Sequence, residues 1–86
     1  MTPRSVAEAE IFMEQAETYR ERYALFDQVL EALVWELARN PQVGFQLPDE
    51  PEYWIYRTNA KGRTPSFRII YSFHDEQVQL LAINAD

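Results

Sequence analysis

The hydrophobic pattern changes period once along the chain. From Ser5 to Asn40, a stretch without Gly or Pro, apolar residues recur every three or four positions. That spacing predicts helix. Val6, Ala9, Met13 and Ala16 form one apolar row, and Phe12, Ala16, Tyr19 and Tyr23 form another. The stripe then shifts phase, and Phe26, Val29, Leu30, Leu33, Val34 and Leu37 set a second, stronger one. One straight helix would hold both stripes poorly, so a bend or short turn is expected near Arg20–Ala24. Ser5-Val-Ala-Glu8 has the spacing of a capping box and predicts the first helix start, with Thr2-Pro3 as a second possible start. Asn40-Pro41 predicts the end of the second helix, because proline disfavours helix at the residue before it. Trp35 falls off the Leu33/Leu37 stripe and reads as a boundary residue or a partner anchor.

From Tyr53 onward the period is two. Tyr53–Thr58 predicts a strand with Tyr53, Ile55 and Arg57 on one face and Trp54, Tyr56 and Thr58 on the other. Phe67–Phe73 predicts a second, with Phe67, Ile69, Tyr71 and Phe73 on one face and Arg68, Ile70 and Ser72 on the other. Val78–Ile83 predicts the third. His74–Gln77 forms a four-residue turn. Asn59–Pro65 forms a longer loop in which Gly62 permits a left-handed turn. Pro41–Pro51, with three prolines and Gly44, reads as a loop crossing from helices to sheet. Short links favour an antiparallel meander. The predicted architecture is α+β: an N-terminal helical hairpin packed on a three-stranded antiparallel sheet, in one domain spanning residues 1–86.

Composition narrows the class. A hydrophobic fraction of 47% supports a core and excludes a disordered chain. The absence of cysteine excludes disulfides and thiolate metal sites. The single histidine, His74, cannot form a cluster with other histidines, and neither metal nor cofactor is expected. No stretch approaches the roughly 18 apolar residues of a spanning helix. The expected protein is cytoplasmic, with no membrane partner.

Charge is unevenly placed. The net charge is −6, which argues against a general nucleic-acid binder. Residues 1–56 carry 11 acids and 4 bases, whereas residues 57–86 carry 3 acids and 4 bases. Glu10, Glu14, Glu17 and Glu21 form an acidic helix row, either a solvated face or a docking face for a basic partner. The four late bases, Arg57, Lys61, Arg63 and Arg68, lie within twelve positions.

Glycine-rich phosphate loops, HExxH and nucleophile elbows are missing. Ser66 and His74 sit at opposite ends of one strand and do not form a nucleophile–base pair. The basic group remains. Arg57, Lys61, Arg63 and Arg68 can hold phosphates through charge and bidentate hydrogen bonds. Trp54 and Tyr56, beside Arg57 in sequence, are candidates for stacking on bases. The competing reading makes Lys61 and Arg63 a solubilising loop and pairs Arg68 with a neighbouring acid.

Two segments resemble the RelE/ParE superfamily of bacterial toxins from toxin–antitoxin pairs. Residues 24–33 running into Asn40-Pro-Gln-Val-Gly44 are similar to the family's second helix and its Pro-x-x-Gly turn. Phe67-Arg-Ile-Ile-Tyr-Ser-Phe73, followed by Asp75–Ile83, is similar to its aromatic-Arg-aliphatic-aliphatic-Tyr strand, acidic turn and apolar last strand. The resemblance implies an antitoxin that wraps the chain. It also implies either mRNA cleavage in the ribosomal A site, as in RelE-type members, or gyrase poisoning, as in ParE-type members. Arg68 matches the arginine that belongs to the RelE-type active site, which makes it the candidate catalytic residue.

The family opens with a strand before its helices and carries basic and aromatic residues after the last strand. This chain reads as an atypical member without either, and an open sheet edge then invites a partner or a homodimer contact. Its acidic charge also departs from the basic RelE-type nucleases. The expectation is a toxin-like protein acting by binding rather than cleavage. The alternatives are a ribosome-dependent mRNA endoribonuclease, and a non-toxic interaction or dimerisation module. Whether the chain is an enzyme is left open by its residues.

Overall fold

Strand β4 (Phe67–Phe73) lies in the middle of the sheet of a computed structural model that describes residues 2–86. The sheet has five strands, not three, in the order β1 (Ser5–Glu8), β5 (Gln77–Ala85), β4, β3 (Trp54–Arg57) and β2 (Phe45–Gln46). Strands β3, β4 and β5 form the antiparallel meander. Two further strands make the sheet mixed. β1 runs parallel to β5, and β2 pairs antiparallel with β3.

The expected three-stranded antiparallel sheet is therefore corrected at both edges. Ser5–Glu8 is a strand, not a helix start. The Ser5 N–H and hydroxyl both donate to the Glu76 carbonyl, at 3.1 and 3.2 Å. Arg4 Nε donates to the His74 carbonyl at 2.8 Å. Hydrogen bonds to residues about seventy positions away displace the local capping box. Val6, paired with Val78, packs against the core. A strand before the helices is thus present, and the expected absence of one is overturned. At the other edge, β2 emerges from the proline-rich loop.

Helix α1 (Glu10–Arg22) and helix α2 (Phe26–Arg39) cover one face. The chain breaks between them at 23–25, where the stripe shifts phase. Arg20 braces the break by bonding Glu17 at 2.6 Å and Asp27 at 2.7 Å. Tyr19, Tyr23 and Phe26 all meet the Phe67 ring edge-on, with centroids 5.0, 5.9 and 5.3 Å away. Such pairs add about 0.5–1.5 kcal/mol each beyond burial, so the hairpin is pinned over the start of β4. Of the two rows on α1, the Phe12/Ala16 row is buried, whereas Met13 is half exposed.

Phe67, Ile69 and Tyr71 are fully buried beneath the helices with Leu33, Leu37, Val78, Leu80 and Ile83. Strand β5 changes phase within this core. Tyr71 pairs with Leu80 but Ile70 pairs with Ala82, which leaves Leu81 as the extra residue of a bulge. Val78 and Leu80 face the helices before it, and Ile83 faces them after it.

Beyond α2, a single 3-10 turn (Pro41–Val43) leads to Gly44. The buried Tyr71 hydroxyl donates to the Pro41 carbonyl at 2.5 Å and accepts from the Gly44 N–H at 3.2 Å. The Pro-x-x-Gly turn and the β4 tyrosine are thus in direct contact.

Candidate functional site on the open sheet face

The helices leave the opposite face of the sheet uncovered, and the pleat sends Arg68, Ile70 and Ser72 there. Register then sets the neighbours. Arg57 on β3 lies directly opposite Arg68, and Asn84 on β5 lies opposite it from the other side. The three form one polar row across three strands. The Thr58 N–H bonds the Phe67 carbonyl at 2.9 Å. The Arg57–Arg68 pair therefore occupies a non-hydrogen-bonded position, where opposed Cα atoms approach to about 4.5 Å.

Two guanidiniums held this way repel each other. Relief is slight. Asp86 Oδ2 lies 3.9 Å from Arg57 Nε, too far for a hydrogen bond, and Arg57 is 60% exposed. Arg68 makes no ion pair among the described residues. The expected pairing of Arg68 with a neighbouring acid is not formed there. The row presents cations and an amide, a donor set suited to a phosphoryl group.

The other proposed site residues lie elsewhere. Trp54 pairs with Tyr71 and Tyr56 with Ile69, which places both on the helix face. Trp54 packs on Phe73 at 5.3 Å between centroids. Tyr56 is partly buried, and burial, with the Glu36 carboxylate second, pushes its hydroxyl pKa up. Neither ring shares a surface with the arginines. Lys61 lines a hollow with Leu25, Gln28, Val29 and Ala32, also on the helix side. Arg63 is exposed in the small turn closed by Lys61 and Thr64, where Gly62 takes φ 61°. Of the six residues, only Arg57 and Arg68 come together.

Asn84 was not foreseen as a site residue. Uninterrupted alternation from Val78 and Leu80 would send it to the helix face; the bulge at Leu81 turns it outward. The jump in apolar phase between Leu80 and Ile83 is the signal in the sequence. Beside the polar row runs an apolar one, Phe45–Ile55–Ile70–Ala82, in which Phe45 is 76% exposed. Among the described residues, no three His, Asp or Glu converge as a metal site. No described helix is long and apolar enough to cross a membrane.

No protein-family model matches the chain. No curated protein matches it either. A solved structure does: a chain in the crystal structure of the toxin–antitoxin complex RelBE2 from Mycobacterium tuberculosis superposes with a TM-score of 0.79. The two are 22% identical, and the match covers 100% of this chain and 94% of that one. At that identity the likeness is one of fold alone: this chain and that one share an architecture.

Proposed function

We propose that the chain is the toxin-like component of a toxin–antitoxin pair, that it acts by binding, and that Arg57, Arg68 and Asn84 hold a phosphoryl group on its target. The observation that carries this reading is the Arg57–Arg68 pair, two like charges placed opposite each other on an uncovered face, with Asp86 3.9 Å from Arg57 as the one acid in ion-pair range among the described residues. An anion bridging both guanidiniums would convert that repulsion into attraction. The fold likeness to a chain of a toxin–antitoxin complex supports the wider role.

An antitoxin is the natural cover for this face. The Phe45–Ile55–Ile70–Ala82 row supplies apolar area beside the cationic row, and such patches mark partner surfaces. Binding rather than cleavage is favoured because the row, two guanidiniums and a neutral amide, contains no group suited to act as a general base. Lys61, Trp54 and Tyr56, which a base-stacking nuclease groove would recruit, lie on the helix side.

Induced expression in a bacterial host tests the reading, with mapping of mRNA 5′ ends on translating ribosomes. Growth arrest that is lost in Arg68→Gln, without new mRNA ends, is the expected result. Arrest with new ends phased to codons would establish the ribosome-dependent nuclease instead. Growth unchanged by wild type would leave an interaction module and overturn the toxin role.

A further inference from the structure

Among the described residues, the acid that lies within 4 Å of the arginine row is Asp86. Its position is set by Ser66, not by Arg57. The Ser66 hydroxyl donates to Asp86 Oδ2 at 3.0 Å, and the Asp86 N–H donates to the Ser66 carbonyl at 3.0 Å. Ser66 immediately precedes β4, so the carboxylate is anchored at the end of the sheet nearest Arg68 and Arg57. Its side chain is 29% exposed, against 60% for Arg57. At 3.9 Å the ion pair is loose. The carboxylate is fixed while the guanidinium keeps its freedom to turn toward a ligand.

We infer that Asp86 is a built-in counter-charge that attenuates and selects at the Arg57–Arg68–Asn84 row. This rests on the anion-site reading above. The Asp86 side chain offsets one of the row's two positive charges. A carboxylate ligand brings a single charge and two acceptor oxygens. A phosphoryl group, with more acceptor oxygens, can span both guanidiniums and the Asn84 amide while Asp86 stays on Ser66. Asp86 therefore touches no reacting atom. It sets how strongly an anion must bind to be held, and it favours phosphoryl groups over carboxylates.

Asp86→Asn is a clean test, because the amide oxygen still accepts from Ser66 and the backbone bond is untouched. The probes are inorganic phosphate, acetate and a short uridine oligomer, each titrated at constant ionic strength. The readout is the Nε–Hε resonances of Arg57 and Arg68. Wild type should respond to phosphate and more weakly to acetate. Asp86→Asn should bind phosphate about threefold more tightly, the size expected for an exposed ion pair, and should narrow the gap to acetate. The gain should vanish when Arg57→Ala is added. A gain seen with the oligomer but not with phosphate assigns the phosphoryl group to nucleic acid, and the reverse assigns it to a free anion; either keeps the role of Asp86. Binding of both phosphate and the oligomer unchanged by Asp86→Asn, or acetate bound as well as phosphate by wild type, overturns the inference and leaves the site standing. No response to any probe in either protein overturns the site itself.

Discussion

Tyr71 and Gly44 meet where strand and turn must come closest. The Gly44 N–H donates to the Tyr71 hydroxyl at 3.2 Å, and that hydroxyl donates to the Pro41 carbonyl at 2.5 Å. A Cβ on Gly44 would fall 2.6 Å from the hydroxyl and closer still to the Ile55 carbonyl. The backbone of Gly44, at φ −82°, is open to any residue. Glycine is required here for space, not for conformational freedom. Tyr71→Phe should cost about 1–3 kcal/mol by leaving buried groups unpaired. Gly44→Ala should cost at least as much by prying the turn from β3 and β4. Urea unfolding checks both, and a loss under about 0.5 kcal/mol for both would remove this contact from the stability of the fold.

Alkaline pH should weaken the same contact. Burial pushes the Tyr71 hydroxyl pKa up to about 12, against about 10 in an unfolded chain. Because the folded value is raised, the stabilisation of the neutral phenol is fully present below pH 10. It is lost as pH rises toward 12, since the unfolded chain releases its proton first. About 2–3 kcal/mol is at stake across that window. Wild type should lose stability there more steeply than Tyr71→Phe, which lacks the group. Parallel slopes in urea midpoints would contradict the assignment.

The arginine row predicts a separation of stability from binding. Arg68→Gln relieves a like-charge pair and keeps much of the stem, so stability should hold or rise by about 0.2–1 kcal/mol at low salt. The gain should fade near 1 M salt, where screening shortens to about 3 Å. Phosphate should raise the melting temperature of wild type but not of this variant, by mass action on the folded state. A variant that is simply less stable at every salt concentration would point to a packing role for Arg68.

Legibility in the sequence followed the range of the interactions. The central strand was readable because Phe67–Tyr71 alternate without interruption and their local preference agrees with their burial. The helix break was readable from the phase shift before Phe26, although no Gly or Pro marks it. Strand β1 was hidden, because Ser5 and Glu8 satisfy a local helix signal while the bonds that win come from His74 and Glu76. Strand β2 has only two residues and no periodicity to detect. In the site, alternation already set Arg57 apart from Trp54 and Tyr56; their adjacency in sequence was misleading about their surface. Asn84 depended on a bulge whose trace in the sequence is the jump in apolar phase between Leu80 and Ile83.

That bulge has a consequence for how the chain can change length. Removal of Leu81 leaves every observed strand pair intact: Leu80 would still face Tyr71, Ala82 would still face Ile70, and Asn84 would still face Arg68. Loss of Leu80 gives the same chain, and loss of Gln79 or Ala82 closes the same bulge with a changed side chain at one position. A one-residue deletion between Val78 and Ile83 is thus absorbed at a single seam. On one side of it the strand is tied to β1; on the other it carries Asn84 to the arginines. The seam lets each half vary without disturbing the alignment of the other.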